Sequence, residues 1–176
     1  MPIPETWLYL LVDFLCLVFP FLFSFHPRLS FHLQWRYFVL PCAVTAALFV
    51  LWDVYFTHLG VWGFNHRYVS GVWLWGLPLE EFLFFVCIPY ACVFTYHSLT
   101  TLVRFQPHSK VAHYVSVALV VLLLAVGLTH LRQAYTASTC LLMAAALVVM
   151  LVLKAPFMGA FYVQFVAISV SYTHLA

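Results

Sequence analysis

Long apolar runs separated by short polar connections dominate this chain and restrict the folds that it can adopt. Inside a bilayer each backbone N–H and C=O needs a partner within the protein, so a spanning segment is a helix of about 20 residues or a strand of a closed barrel. The runs here have helical length, and 66% of the 176 residues are hydrophobic while 7% are charged, which excludes a soluble domain. The predicted spans are residues 6–25, 37–57, 78–99, 111–131, 138–153 and 157–176. The sequence therefore predicts an all-α polytopic transmembrane helix bundle.

Basic residues predict the orientation, because cytoplasmic loops of membrane proteins carry an excess of Lys and Arg. The connections after spans one, three and five contain Arg28, Arg36, Arg104, Lys110 and Lys154. The connections on the opposite side contain only Arg67 and Arg132. We therefore predict an integral membrane protein with its N-terminus outside. A net charge of +2 is too small to indicate binding to nucleic acid.

Acidic residues are few, and most of them lie within the predicted spans. Four of the chain's five acids form this group: Asp13 in span one, Asp53 near the end of span two, and Glu80 and Glu81 at the start of span three. Consecutive spans alternate in direction and a helix rises 1.5 Å per residue, so these carboxyl groups are expected at a similar depth near the outer side. A charged carboxylate at membrane depth is costly, so the group indicates a functional site.

Each of these acids also has a structural interpretation. Asp13 is the kind of residue that forms hydrogen bonds between helices, and Asp53 fits an interfacial position that satisfies donors in the 58–76 loop. One glutamate fits a helix N-terminus, where the macrodipole favours negative charge. Adjacent helical residues point about 100° apart, so that explanation covers only one of Glu80 and Glu81. The loop, rich in Trp, Gly and Tyr, fits either an interfacial anchor or a lid over a site.

Three segments of the chain resemble the integral-membrane lycopene cyclase family, the type that lacks a flavin. They are LYLLVDFLCLVFPFLFSFHPRLSF, FVLWDVYFTHLGVWGFN together with YVSG, and LPLEEFLFF. The likeness is close over residues 7–97 and loose over the rest. The combination of Pro-Leu-Glu-Glu with the upstream Trp-Asp and Gly-Val-Trp is far more specific than any one of these pieces.

The resemblance implies two three-helix repeats, each with a last helix that opens on a Pro-x-Glu-Glu or Pro-x-Glu-Asp motif. It assigns residues 1–103 to the first repeat, 104–133 to a linking transmembrane helix and 134–170 to an incomplete second repeat. Residues 171–176 look like a non-native tail, and we expect the chain to be a fragment. Family members occur in bacteria and archaea as paired small subunits or as one fused chain, and in fungi as one domain of bifunctional carotenoid enzymes. We expect a prokaryotic cytoplasmic membrane and association with a second repeat or subunit.

The resemblance also implies a reaction, which is isomerisation of linear lycopene to β-carotene in carotenoid biosynthesis. An acid protonates the terminal C=C of the polyene, the next double bond attacks the resulting cation, and a base removes a neighbouring proton. A β-ionone ring forms without net redox change, and the reaction is expected to use no cofactor and no metal. The carotenoid and the lipid bilayer are the implied partners.

Buried paired carboxyl groups suit this chemistry, because desolvation and mutual repulsion favour the protonated form that an alkene needs as its acid. Aromatic faces stabilise a cation without trapping it, and an apolar pocket excludes the water that would quench it. The implied catalytic residues are Glu80, Glu81 and Asp53, with Glu81 preferred as the acid because it lies deeper in its helix. The implied substrate-binding residues are Asp13, Trp52, Pro78, Phe82, Phe84 and Phe85.

Two functions of other classes remain open on the sequence alone. A proton-coupled transporter would use the same acids as a relay, but the fourth and fifth spans, with VALVVLLLAVGL and CLLMAAALVVMLVL, offer almost no polar residues for a path to the cytoplasm. The other is a non-catalytic, carotenoid-binding membrane subunit. Conversion of lycopene in living bacteria distinguishes an enzyme from both.

Overall fold

Six α-helices make up the part of the chain that this computed structural model describes, residues 5–103 and 109–173. In chain order they are α1 (Leu8–Phe23), α2 (Trp35–His58), α3 (Leu79–Leu102), α4 (Ser109–Thr129), α5 (Ala134–Val152) and α6 (Met158–Thr173). Each predicted span corresponds to one helix, so the all-α prediction is confirmed. The largest shift of a helix start is in α5, which was predicted from residue 138 and begins at Ala134.

Within the described residues, four helices are long and apolar enough to cross a membrane, namely α2 to α5. α1 is also apolar, but its 16 residues are fewer than the roughly 20 of a typical span. The apolar run of the sequence continues past α1, whereas the helix ends at Phe23 and the chain turns. The protein is therefore a helical membrane protein.

The chain divides into two compact units, Met1–Thr101 and Leu102–Ala176. The first contains α1, α2 and nearly all of α3, and the second contains α4 to α6. The assignment of these parts to a first repeat, a linking helix and a second repeat stays a prediction. Residues 104–108, at its first boundary, and 174–176, in the predicted tail, lie outside the described residues.

The core of the first unit lies where the α1–α2 connection meets the second half of α3. Its buried residues are Leu29, Phe31, Tyr90 and Phe94. The Tyr90 hydroxyl lies 2.5 Å from Ser24 Oγ and accepts a hydrogen bond from Trp35 Nε1 at 3.1 Å. His97 Nε2 lies 2.7 Å from the carbonyl oxygen of Leu29. These contacts join α3 to the segment between α1 and α2.

A small β-hairpin precedes α3, and the sequence analysis did not predict it. Its strands are β1 (Trp73–Leu74) and β2 (Leu77–Pro78), which pair antiparallel. The two turn residues, Trp75 and Gly76, have φ angles of 52° and 83°. Two successive positive φ values are typical of a type I′ turn, whose usual sequence signal is Asn-Gly or Asp-Gly. Trp-Gly lacks that signal, so the sequence of the turn did not indicate a hairpin.

The hairpin leads directly into α3. The Leu79 N–H donates to the Val72 carbonyl oxygen at 2.9 Å, which connects the first residue of the helix to the loop before β1. Pro78 was predicted in the first turn of α3 and instead lies in β2, one residue before the helix. The absent N–H of proline is tolerated in either position, since a strand edge also needs no donor there.

Pro89 lies inside α3 without ending it. Proline has no N–H, so the carbonyl of Phe85, four residues earlier, cannot receive its usual helical hydrogen bond. The Cys42 thiol of α2 donates to that carbonyl instead, with 3.8 Å between Sγ and the oxygen. A side chain of the neighbouring helix thus satisfies the acceptor that Pro89 leaves open, as is common for prolines in membrane helices.

Candidate active site

Glu80, in the first turn of α3, is almost fully buried, with 2% of the residue exposed. Its Oε1 accepts a hydrogen bond from the backbone N–H of Ser70 at 2.6 Å. Ser70 belongs to the α2–α3 connection and is followed by Gly71, whose φ of 89° favours glycine. A backbone donor at this short distance suits a carboxylate acceptor. The connection therefore covers the start of α3 and holds one oxygen of Glu80 in place.

The other oxygen of Glu80 is in a different situation. Oε2 is buried and has no hydrogen-bond partner within the described part of the chain, and the same is true of the Ser70 hydroxyl. Buried polar atoms normally have partners, and exceptions concentrate at catalytic groups or at sites for water or ions. Oε2 is thus the oxygen of Glu80 that remains available for proton exchange.

The remaining three predicted acids share this end of the first unit with Glu80. The carboxyl groups of Asp13, Asp53 and Glu80 all exert coulombic repulsion on that of Glu81, and Glu80 also repels Asp13. Asp13 is buried, at 5% exposure, whereas Asp53 and Glu81 are half-buried. α1, α2 and α3 each contribute at least one member. Carboxyl groups that share a site repel one another when they ionise.

Phe85 is the predicted aromatic contact that lies between helices. Its ring stacks on that of Phe49 from α2, with centroids 5.9 Å apart and an interplanar angle of 22°. Phe84 meets Phe85 edge-on at 5.6 Å but is 43% exposed, so part of its ring does not pack against the first unit. Of these two neighbours, Phe85 is the one whose ring contacts α2.

The other predicted substrate contacts lie on the side of the α2–α3 connection. Trp52 packs against Phe56 at 5.1 Å between ring centroids. Phe82 lies 6.2 Å from Trp75 in the hairpin turn, and Pro78 is buried in β2. The hairpin therefore flanks the start of α3, where Glu80 and Glu81 lie.

Ser70 is the residue that sequence reasoning missed. It contacts Glu80 through its backbone N–H, a group that nearly every residue has, so the residue type does not reveal the contact. The only available signal was its place in the YVSG segment, where the following glycine permits a sharp change of direction.

The arrangement is suited to moving protons near an apolar molecule. Carboxyl groups this close to one another can pass protons between them, and one accepts a fixed backbone donor, so the cluster has the groups that acid and base catalysis need. Within the described residues, no group of three or more His, Cys, Asp or Glu has the geometry to hold a metal ion.

Comparison with protein families adds an independent finding. The lycopene cyclase family model matches residues 6–99, which is 94 of the chain's 176 residues. The matched segment contains the whole acid cluster together with Ser70. Searches against curated proteins and against solved structures gave no significant match. The family match covers more than half of the chain and confirms the resemblance that its motifs indicated: the chain belongs to the lycopene cyclase family.

Proposed function

We propose that this chain is a lycopene β-cyclase domain, an isomerase that closes the end of linear lycopene into a β-ionone ring by acid–base chemistry within the membrane. The observation that carries the proposal is the cluster of four carboxyl groups from three helices, inside the segment that the family model matches. The cluster combines burial with several proton sites, as protonation of an alkene requires.

Glu81 is the proposed acid. Asp13, Asp53 and Glu80 lie close enough to repel a negative charge on it, which suits a carboxyl group that gives a proton to an alkene. Its O–H bond breaks, and the proton bonds to the inner carbon of the terminal C=C, which leaves a tertiary cation at the outer carbon, the one that carries the two methyl groups. The next double bond then attacks that cation, so the ring C–C bond forms and the positive charge moves into the ring.

Glu80 is the proposed base. Its Oε1 accepts the Ser70 N–H, a contact that suits a carboxylate, and its Oε2 has no partner within the described residues. Oε2 takes a proton from the carbon next to the ring cation, and the electrons of that C–H bond form the ring double bond. One proton enters the substrate and one leaves, so the product is an isomer. Asp53, whose carboxyl group is close enough to repel that of Glu81, relays the proton back to it.

The aromatic residues have a separate role in this proposal. Phe85, Phe82 and Trp52 present ring faces that stabilise the cation through cation–π contacts. Phe84, Pro78 and Asp13 complete the substrate-binding wall. Exclusion of water by the α2–α3 connection prevents quenching of the cation to an alcohol. The buried position of Glu80 beneath that connection supports this role.

The proposal extends to the surroundings of the chain. The distribution of Lys and Arg supports an N-terminus outside the membrane, and the family resemblance supports a prokaryotic cytoplasmic membrane. It also supports association with a second repeat or subunit that carries a second acidic helix.

Pigment colour tests the proposed function. The chain is expressed in lycopene-accumulating bacteria, alone and together with a subunit that carries the second acidic helix. Yellow-orange β-carotene is expected from the wild type, and red lycopene from Glu81→Gln at an equal amount of membrane-inserted protein. Thr129→Val, which changes an exposed hydroxyl that bonds only within its own region, is the matched control and should remain yellow-orange. Red cells in both wild-type expressions would contradict the proposal.

A further inference from the structure

An open cavity of about 450 Å³ lies between α2 and α3 in the first unit, and Pro41, Thr45 and Val93 in its wall are exposed. Apolar and aromatic side chains form most of its wall, among them Phe38, Pro41, Cys42, Pro89 and Val93. Along α2 the wall extends from Tyr37 to Thr45, which is about 12 Å of helix at 1.5 Å per residue. A cavity of this length and lining suits an extended apolar molecule.

The cavity continues the two rows of side chains that carry the acids. On α2 the row at four-residue spacing is Asp53, Phe49, Thr45 and Pro41, and on α3 it is Glu81, Phe85, Pro89 and Val93. Residues four apart lie on one face of a helix. Each row therefore leads from an acid to the cavity wall over eight residues, or about 12 Å.

A stacked pair of rings shows that the two rows face each other. Phe49 and Phe85 lie between the acids and the cavity, and their centroids are 5.9 Å apart. The thiol of Cys42, in the cavity wall, donates to the Phe85 carbonyl, so the same pair of helix faces stays in contact at the cavity. The acids, the stacked rings and the cavity thus follow one another along a single interface between α2 and α3.

We propose that this cavity binds the conjugated chain of the linear carotenoid while the end group of that carotenoid reacts at the acids. The inference rests on the proposed function, which brings the end group to Glu80 and Glu81. A linear polyene held at one end extends away in a line, and the interface offers a collinear apolar cavity in that direction. Phe49 and Phe85 add aromatic surface along this line, between the acids and the cavity. The lipid acyl chain, which is the competing occupant, would have no reason to be aligned with the acids.

Retention of pigment by an inactive protein tests this inference separately from catalysis. In a Glu81→Gln background the bound lycopene is not consumed, and its absorbance per purified protein measures binding. Thr45→Trp fills the cavity and should lower the retained lycopene roughly tenfold, while the smaller Thr45→Leu should lower it roughly twofold. Leu40→Trp is the matched control, because Leu40 is on the same helix, is 71% exposed and is not in the cavity wall.

The outcomes separate the two proposals. Equal retention by the Thr45→Trp and Leu40→Trp proteins, which a lipid-filled cavity would produce, overturns the cavity assignment, and so does the absence of pigment from both. Neither result bears on ring formation by the wild type, which the colour of the cells reports. If Thr45→Trp does not accumulate in the membrane, the lycopene retained by Thr45→Leu is compared with that retained by Leu40→Trp, and equal retention overturns the cavity assignment.

Discussion

The two units of this chain use membrane helices in different ways. All five acidic residues lie in the first unit, whereas Leu102–Ala176 contains no Asp or Glu. The first unit buries Asp13 and Glu80 and supplies a backbone donor for the latter through the α2–α3 connection. Ionisable groups at membrane depth cost stability unless they are paired or protonated, so their concentration in one unit indicates where the chemistry lies.

The second unit is assembled from close contacts between small and apolar residues. A Cβ on Gly127 of α4 would lie 3.2 Å from the Leu141 side chain of α5, which is tighter than most packed contacts. Ala137 and Ala144 of α5 are buried. Small residues that let helix backbones approach closely are the usual basis of packing between membrane helices. The comparison therefore predicts that substitution of an acid in the first unit affects activity before stability, and that substitution of the packed glycine in the second unit affects stability before activity.

The largest expected effect is that of Glu80→Gln, which removes the proposed base. Because a positioned acid or base contributes roughly 10²–10⁴-fold to a rate, we expect ring formation to fall at least about a hundredfold. Glutamine keeps the size of the side chain and an oxygen for the Ser70 N–H, so the amount of inserted protein should change little. Initial rates in isolated membranes measure the effect, with Thr129→Val as the control. A rate within a factor of two of the wild type would contradict the assignment of the chemistry to the acids of the first unit.

Gly127→Val tests the packing of the second unit. The added side chain meets Leu141 and Cys140, and we expect a loss of about 2 kcal/mol in the free energy of unfolding. Gly63→Val is the matched control, since a Cβ at Gly63 meets nothing within 4 Å. Reversible unfolding in mixed micelles measures both. Equal destabilisation by the two variants would show that the close contact between α4 and α5 does not determine the free energy of unfolding.

Tyr90→Phe removes the hydroxyl that links α3 to Ser24 and Trp35 in the first unit. We expect a loss of about 1 kcal/mol in the free energy of unfolding, since two polar groups lose a buried partner. The control is Tyr114→Phe, because Tyr114 is 71% exposed. The same unfolding measurement applies, and an effect no larger than that of the control would mean that this network does not support the first unit.

Tyr162→Phe tests a hydrogen bond of the second unit, and we expect it to change the free energy of unfolding the least. The Tyr162 hydroxyl lies 2.7 Å from the fully buried Ser116 Oγ, which also donates to the Ala112 carbonyl of its own helix. Ser116 therefore keeps one bond after the substitution, and we expect a loss of about 0.6 kcal/mol, the mean for hydrogen bonds between membrane helices. A loss in the free energy of unfolding greater than that of Tyr90→Phe would contradict this prediction.

The sequence by itself determined the class of the fold, the number of helices and the identity of the acids. These follow from local properties: the length of an apolar run decides whether a helix can span a bilayer, and an acid within such a run is rare enough to be informative. Helix ends were less accurate, as in α5, because Thr136 and Ser138 lower the local hydropathy while the backbone is already helical. The family resemblance of the first unit was likewise readable from its motifs.

Only the tertiary structure decided which side chains meet. The Ser70–Glu80 bond, the Phe49–Phe85 stack and the Cys42–Phe85 bond each depend on how one segment faces another. Helices that are apolar on all sides have no hydrophobic stripe to reveal their buried face, so their facing residues cannot be read from periodicity. The alignment of acids, rings and cavity along α2 and α3 is a property of that packing. The physical reason is that these contacts join segments distant in sequence, as where the α2–α3 connection brings the Ser70 N–H to Glu80 in the first turn of α3.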